Sequence, residues 1–107
     1  MIIYIDIDET ICSHPYMEQT RDDIGDVLTR NYAYAEPIVE NIEKANKLYD
    51  EGHKIVYWTA RGHQTGIDWR ELTEKQFEKW GVKYHELKFN KPYDLIIDDK
   101  ALNAKDW

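Results

Sequence analysis

The sequence of 107 residues contains one cysteine, three prolines and five glycines. A single thiol, Cys12, excludes an internal disulfide and is typical of a chain kept in a reducing compartment. The apolar run at the start, Ile2 to Ile7, is too short for a signal peptide or a membrane-spanning helix. We therefore expect a cytoplasmic protein that does not associate with membranes.

Positive charge is also scarce in this chain. Lys and Arg number 14 against 21 Asp and Glu, which gives a formal net charge of −7. This balance disfavours non-specific binding to nucleic acid or to anionic lipid. It still allows a small anionic ligand, because a metal ion or a few local cations reverse the sign of the charge inside a pocket.

The organisation of the chain is that of one domain over residues 1–107, since no repeat, low-complexity tract or Gly/Ser linker divides it. Isoleucines at both odd and even positions near the start predict a strand that is buried on both faces. The polar residues 11–35 predict a loop or a small flap. Alternation of strands and helices predicts an α/β fold, a three-layer Rossmann-like parallel sheet with helices on both faces. The later elements are a helix from Pro37 to Gly52, a strand from Lys54 to Ala60, a helix from Ile67 to Trp80, a strand from Val82 to Leu87 and a strand from Leu95 to Ile97.

Polar groups that suit chemistry follow the predicted strands. Ligands of parallel α/β sheets bind beyond the carboxyl ends of the strands, where these groups would meet. Several carboxylates at one edge repel each other unless a hard cation such as Mg²⁺ shares their oxygens, usually together with a substrate phosphate. The groups are Asp6 and Asp8 after the first strand, Thr59, Ala60 and Arg61 after the second, and Asp98 and Asp99 after the last.

Four short motifs carry a resemblance to a known family. DIDET at Asp6 to Thr10 resembles the first motif of the haloacid dehalogenase-like (HAD) superfamily, and YWTARG at Tyr57 to Gly62 is similar to its second. Lys91 with Pro92 resembles the third motif, and LIIDD at Leu95 to Asp99 resembles the fourth. The motifs occur in the family's order and span most of the chain. The resemblance implies a Mg²⁺-dependent phosphotransferase.

The roles that the resemblance implies are those of a phosphomonoester hydrolase. Asp6 would attack phosphorus and form an aspartyl-phosphate, and Asp8 would protonate the leaving oxygen and then activate water. Lys91 would neutralise charge on the nucleophile and the phosphate. Thr59 would bind the phosphoryl group, and Thr10, Ala60 and Arg61, which lie in or beside the first two motifs, are further candidates for substrate binding. Arg61 could instead pair with a neighbouring acid. The metal site would comprise Asp6, Asp8 through its backbone carbonyl, Asp98 and Asp99.

A full cap domain has no room in this sequence. Only residues 11–35 separate the first strand from the first helix, so the chain resembles the capless members with a short flap. We expect a small phosphorylated metabolite as substrate, either a sugar phosphate or a nucleotide. In a capless protein a neighbouring subunit could cover the active site, so a homo-oligomer is one possibility that the sequence leaves undecided.

Several alternatives stay open at this point. The domain could be an end-processing nucleic-acid phosphatase, which the negative charge disfavours, or a receiver-like phospho-acceptor or binding domain without catalysis. Lys88 competes with Lys91 as the third-motif lysine, and Asp98 could serve as a helix cap. Cys12 and His14 predict a buried thiol and a flap histidine rather than a catalytic pair.

Overall fold

The computed structural model describes residues 1–15, 32–62, 66–91 and 97–107. It is an α/β arrangement built on a parallel three-stranded sheet and two helices. The elements in chain order are β1 (Ile2–Ile5), β2 (Cys12–Ser13), β3 (Glu36–Pro37), α1 (Val39–Asp50), β4 (Lys54–Trp58), α2 (Arg70–Trp80) and β5 (Glu86–Lys88), with 3-10 turns at Tyr32–Tyr34 and Ala104–Asp106.

The main sheet has the order β1-β4-β5, with both pairs parallel. Ile5 lies beside Tyr57, and Tyr57 lies beside Leu87, so these three side chains share one face of the sheet. All three are buried. The prediction of a parallel α/β sheet is therefore confirmed for β1, β4 and β5.

The two helices are amphipathic and begin later than the sequence predicts. In α1 the buried positions are Ile42 and Ala45, and Pro37 lies in β3 instead of the first helical turn. The second helix, Arg70–Trp80, is followed by Gly81, whose φ of 69° is the left-handed conformation that glycine adopts readily at a helix end.

Both helices pack on the same face of the sheet. Ile42 and Ala45 of α1 and Phe77 of α2 belong to one buried cluster with Ile55 and Tyr57 of β4. Successive right-handed crossovers that move in one direction across a parallel sheet place their helices on one side. The described residues thus form two layers, and the second helical layer stays a prediction.

The predicted flap has an ordered base. Cys12 pairs with Pro37 and Ser13 with Glu36 in a short antiparallel ribbon of β2 and β3. Residues 16–31, the greater part of the predicted flap, lie outside the described residues.

The predicted last strand is only partly covered by the structure. Of Leu95 to Ile97, only Ile97 is described, and it lies outside any strand and is exposed. The side chain of Asn103 caps the 3-10 turn near the end of the chain by accepting from the backbone of Lys105 at 2.9 Å. No helix in the described ranges is long and apolar enough to cross a membrane.

Candidate active site

A tight turn begins where β1 ends. Glu9 has a φ of 62°, and the backbone amides of Thr10 and Ile11 both donate to the carbonyl of Ile7. This turn ends the extended run after Ile5 and leaves Asp6 and Asp8 at the carboxyl edge of the sheet. The two carboxylates therefore have different surroundings, although they are only two residues apart.

Asp6 meets Lys91 at this edge. Lys91 Nζ lies 3.3 Å from Asp6 Oδ1, and the backbone amide of Lys91 donates to the carbonyl of Thr59 at 3.0 Å. Burial raises the pKa of the Asp6 carboxyl, and the charge of Lys91 opposes that rise. The structure thus brings Asp6, Thr59 and Lys91 together from the ends of three strands.

Lys88, the other candidate for the third motif, lies elsewhere. Its Nζ is 3.4 Å from the hydroxyl of Tyr4 and 5.5 Å from the centre of that ring. The geometry therefore favours Lys91 over Lys88 as the partner of Asp6.

Asp8 is held by two partners. Arg61 Nε donates to its two oxygens at 3.3 and 3.1 Å, and Arg61 Nη2 donates to Oδ1 at 2.9 Å. His14 Nε2 lies 2.7 Å from the same Oδ1. Burial raises the pKa of Asp8, but the hydrogen bonds from His14 and Arg61 and their charges outweigh it and lower the pKa to about 2. In this conformation Asp8 is an ionised hydrogen-bond acceptor at neutral pH.

Arg61 is completely enclosed by the protein. Its side chain is 0% exposed, and its Nη1 donates to Thr73 at 2.9 Å and to Gln76 at 2.7 Å. The ring of Tyr32 lies over the guanidinium, 4.6 Å from Cζ to the ring centre. Arg61 therefore contacts Asp8 and helix α2, which is the second of the two roles that the sequence leaves open, pairing with a neighbouring acid.

Thr59, predicted to bind the phosphoryl group, is fully buried. Its hydroxyl accepts from the backbone amide of Arg61 at 3.1 Å. A ligand could reach this hydroxyl only after its surroundings open. Thr10 is partly buried in the turn after β1, where its carbonyl accepts from the Asn41 side chain at 2.8 Å, and Ala60 is partly buried beside Thr59.

Cys12 and His14 extend the surroundings of Asp8. The thiol of Cys12 lies 3.5 Å from Asp8 Oδ1, and burial, reinforced by the negative charge of Asp8, raises its pKa to about 12. A ligand atom from each of these three residues lies within 4.8 Å of the others, a set that could hold a metal ion. The guanidinium of Arg61, already bonded to Asp8, opposes an added cation there.

Asp98 and Asp99 lie at the surface. The carboxylate of Asp98 accepts from the backbone amide of Lys100 at 2.9 Å, and this bond lowers its pKa. The bond forms a turn and does not cap a helix, because no helix begins here. Within the described ranges, no hydrogen bond or ion pair links these aspartates to Asp6 or Lys91.

The carboxylates predicted to bind Mg²⁺ are not gathered into one group in this structure. Asp6 is a partly buried carboxylate opposed by one lysine, whereas Asp98 and Asp99 are exposed, and within the described ranges these three do not form a cluster close enough to share an ion. Their oxygens are the ligand type that Mg²⁺ prefers. The carboxylate of Asp8 is occupied by Arg61 and His14, so Asp8 would have to contribute its backbone carbonyl.

Three residues of the site were missed or assigned no function by sequence reasoning: His14, Thr73 and Gln76. A signal was present for the last two, because polar residues interrupt the apolar stripe of α2 beside Phe77. Buried polar side chains need partners, and here the partner is Arg61.

Comparison with known proteins shows the fold alone. The chain matches the crystal structure of a structural-genomics target from Vibrio cholerae with a TM-score of 0.74 and 24% sequence identity, covering 98% of this chain and 85% of that one. No protein-family model and no curated protein matches the sequence.

Proposed function

We propose that this protein is a phosphomonoester hydrolase of the HAD type, which acts through an aspartyl-phosphate on Asp6. One observation carries the proposal: Asp6 and Lys91 form a close pair beside Thr59, where three parallel strands end. A carboxylate nucleophile beside a fixed cation is what phosphoryl transfer requires, because catalysis there depends on positioning and charge stabilisation.

The nucleophile is prepared by its surroundings. Asp6 is partly buried, so fewer waters solvate its carboxylate than at the surface, and Lys91 stabilises its ionised form. In-line attack on phosphorus would leave Lys91 Nζ near the transferred group, where it offsets the charge of the phosphoryl oxygens.

Asp8 is the second participant in the proposed reaction. Once the aspartyl-phosphate has formed, an ionised Asp8 would accept a proton from the water that hydrolyses it. Protonation of the leaving oxygen requires Asp8 to carry a proton, so that step needs a change in its bond to His14 while Arg61 keeps the carboxyl group in place.

A divalent cation would complete the charge balance. Asp6, the carbonyl of Asp8 and one of Asp98 and Asp99 would hold Mg²⁺, which when bound neutralises charge on the phosphate. The proposed substrate is a small phosphorylated metabolite, a sugar phosphate or a nucleotide. The net charge of −7 makes a nucleic-acid end a poorer candidate.

The nucleophile is tested with Asp6→Asn, since the amide preserves shape but cannot attack. We expect Mg²⁺-dependent hydrolysis of p-nitrophenyl phosphate to fall at least about a thousandfold, to the level left when covalent catalysis is removed. Asp106→Asn is the matched control, because Asp106 lies in the exposed 3-10 turn near the end of the chain, and it should retain full activity.

A trapped intermediate gives a second readout. Acid quenching during turnover followed by peptide mass spectrometry should find a phosphate, labile to hydroxylamine, on Asp6. Full activity of Asp6→Asn, or a phosphate on another residue, would refute the assignment. A phosphoryl group that persists for minutes in the wild-type protein would favour a receiver-like module instead.

A further inference from the structure

The structure assigns Arg61 a role in positioning Asp8 rather than in binding substrate. This inference rests on the proposed function for its catalytic meaning. Its structural claim is that protein groups occupy every N–H donor of the Arg61 guanidinium, and this claim can be tested without an activity assay.

All five N–H donors of Arg61 face acceptors within the protein. A guanidinium has five N–H donors and no acceptor. Nε and one N–H of Nη2 serve Asp8, and the two N–H groups of Nη1 serve Thr73 and Gln76. The fifth faces the sulfur of Cys12 at 3.7 Å. No donor remains for a phosphate oxygen.

The Arg61 side chain is also enclosed by the protein. The Arg61 side chain is 0% exposed, and the ring of Tyr32 covers one face of its guanidinium. A phosphate could reach Arg61 only by breaking a charge-assisted bidentate pair with Asp8. Losing this pair would leave the largely buried Asp8 carboxylate with only His14 and Cys12 as partners among the described residues, which is unfavourable.

Helix α2 fixes Arg61 in turn. Thr73 accepts from Nη1 while its own hydroxyl donates to the carbonyl of Trp69 at 2.7 Å. Gln76 accepts from the other Nη1 donor and donates to the carbonyl of Tyr32 at 2.6 Å. The chain of bonds therefore runs from α2 through Arg61 to Asp8, and both ends of the guanidinium are anchored.

This arrangement predicts a kinetic signature that depends on the leaving group. A displaced Asp8 would impair proton transfer to a basic leaving oxygen much more than the departure of p-nitrophenolate, which needs no proton. A substrate-binding arginine would instead affect both substrates equally, because it contacts the phosphoryl group that they share. The ratio of kcat/KM for phenyl phosphate to kcat/KM for p-nitrophenyl phosphate separates the two roles.

The variant is Arg61→Lys, which keeps the charge but loses the fork geometry. We expect kcat/KM for phenyl phosphate to fall about 100-fold or more, as loss of general acid catalysis does, and that for p-nitrophenyl phosphate to fall about tenfold or less. The inhibition constant of inorganic phosphate should change less than about threefold. Arg70→Lys, at a half-exposed arginine of α2 that pairs with Glu74, is the matched control and should alter none of these values.

Two indirect variants test the anchoring. Thr73→Val and Gln76→Met remove acceptors of Nη1 without touching Asp8. They should change the substrate ratio in the same direction as Arg61→Lys, but less. Equal losses on both substrates, with phosphate inhibition weakened tenfold or more in Arg61→Lys, would overturn the positioning role.

An NMR measurement on the wild-type protein tests the role of Arg61 even if the Arg61 variants fail to fold. The Nε–H of Arg61 should give a slowly exchanging NMR signal at neutral pH, since it is buried and bonded to Asp8. Adding Mg²⁺ and inorganic phosphate should leave this signal in place. Its loss or a large shift on addition would show that Arg61 binds phosphate and would refute the inference. A protein without phosphatase activity that still shows the protected signal would refute the proposed reaction and leave the Asp8–Arg61 arrangement standing.

Discussion

Replacing Gly62 with alanine tests how tightly Gly62 packs against Ile67 and Trp69. Gly62 has a φ of 77°, and a Cβ added there would lie 2.2 Å from the carbonyl oxygen of Ile67 and 3.1 Å from Trp69 Cδ1. Because the nearest atom belongs to the backbone, a side-chain rotation cannot relieve the clash. Gly62→Ala must therefore displace the chain that leads into α2.

Gly81 supplies a matched comparison for this substitution. It has a φ of 69°, and nothing lies within 4 Å of an added Cβ. Gly81→Ala thus incurs only the left-handed conformation, about 1–2 kcal/mol, from which about 0.4–1 kcal/mol is recovered through a stiffer unfolded chain. We expect a net loss of about 1 kcal/mol in the free energy of unfolding.

Gly62→Ala adds the steric term to the same conformational term. Overpacking of a well-packed site costs about 1–3 kcal/mol, so the free energy of unfolding should fall by about 2–4 kcal/mol in total. Urea unfolding measures both variants. A difference of about 2 kcal/mol between them corresponds to about 0.7–2 M in the midpoint, for a slope of about 1–3 kcal/mol/M. If Gly62→Ala is no less stable than Gly81→Ala, Gly62 does not pack against Ile67 as closely as described.

Two further predictions concern buried groups. Cys12 is 0% exposed, and burial raises the pKa of its thiol to about 12. Iodoacetamide at pH 7.5 should therefore leave the native protein unmodified for an hour and alkylate it fully in urea. A rapid mass increase of the native protein would contradict the burial. Within the described chain no group bonds the buried hydroxyl of Tyr57, so Tyr57→Phe should leave the free energy of unfolding unchanged or raise it by up to about 1–3 kcal/mol. A fall of that size in urea unfolding would mean that the hydroxyl has a partner.

The fold was predictable as far as periodicity reaches. Apolar runs located β1 and β4, and the stop signals Gly52 and Gly81 located the ends of both helices. Helix starts were less accurate, because Pro37 suits a first helical turn and an edge strand equally well. Here its pairing with Cys12 decided for the strand.

The candidate site was predictable where strand ends alone place residues. Parallel strands deliver Asp6 and Thr59 to one edge, whereas Lys91, which meets Asp6 there, was indicated by the resemblance to the third motif and not by a strand end. The sequence left Arg61 either to bind substrate or to pair with a neighbouring acid, because the outcome depends on how α2 is rotated about its axis. Only that rotation shows that Thr73 and Gln76 face Arg61 and leave it no free donor.

The β2–β3 ribbon has a consequence for how this chain could change in length. It pairs Ser13 with Glu36, so the backbone positions at which the chain leaves and rejoins the ribbon are held next to each other. Closing a flexible loop twice as long costs only about 0.6 kcal/mol more in entropy. The ribbon therefore offers a place beside the proposed site where additional sequence could be accepted at little expense to the stability of the sheet.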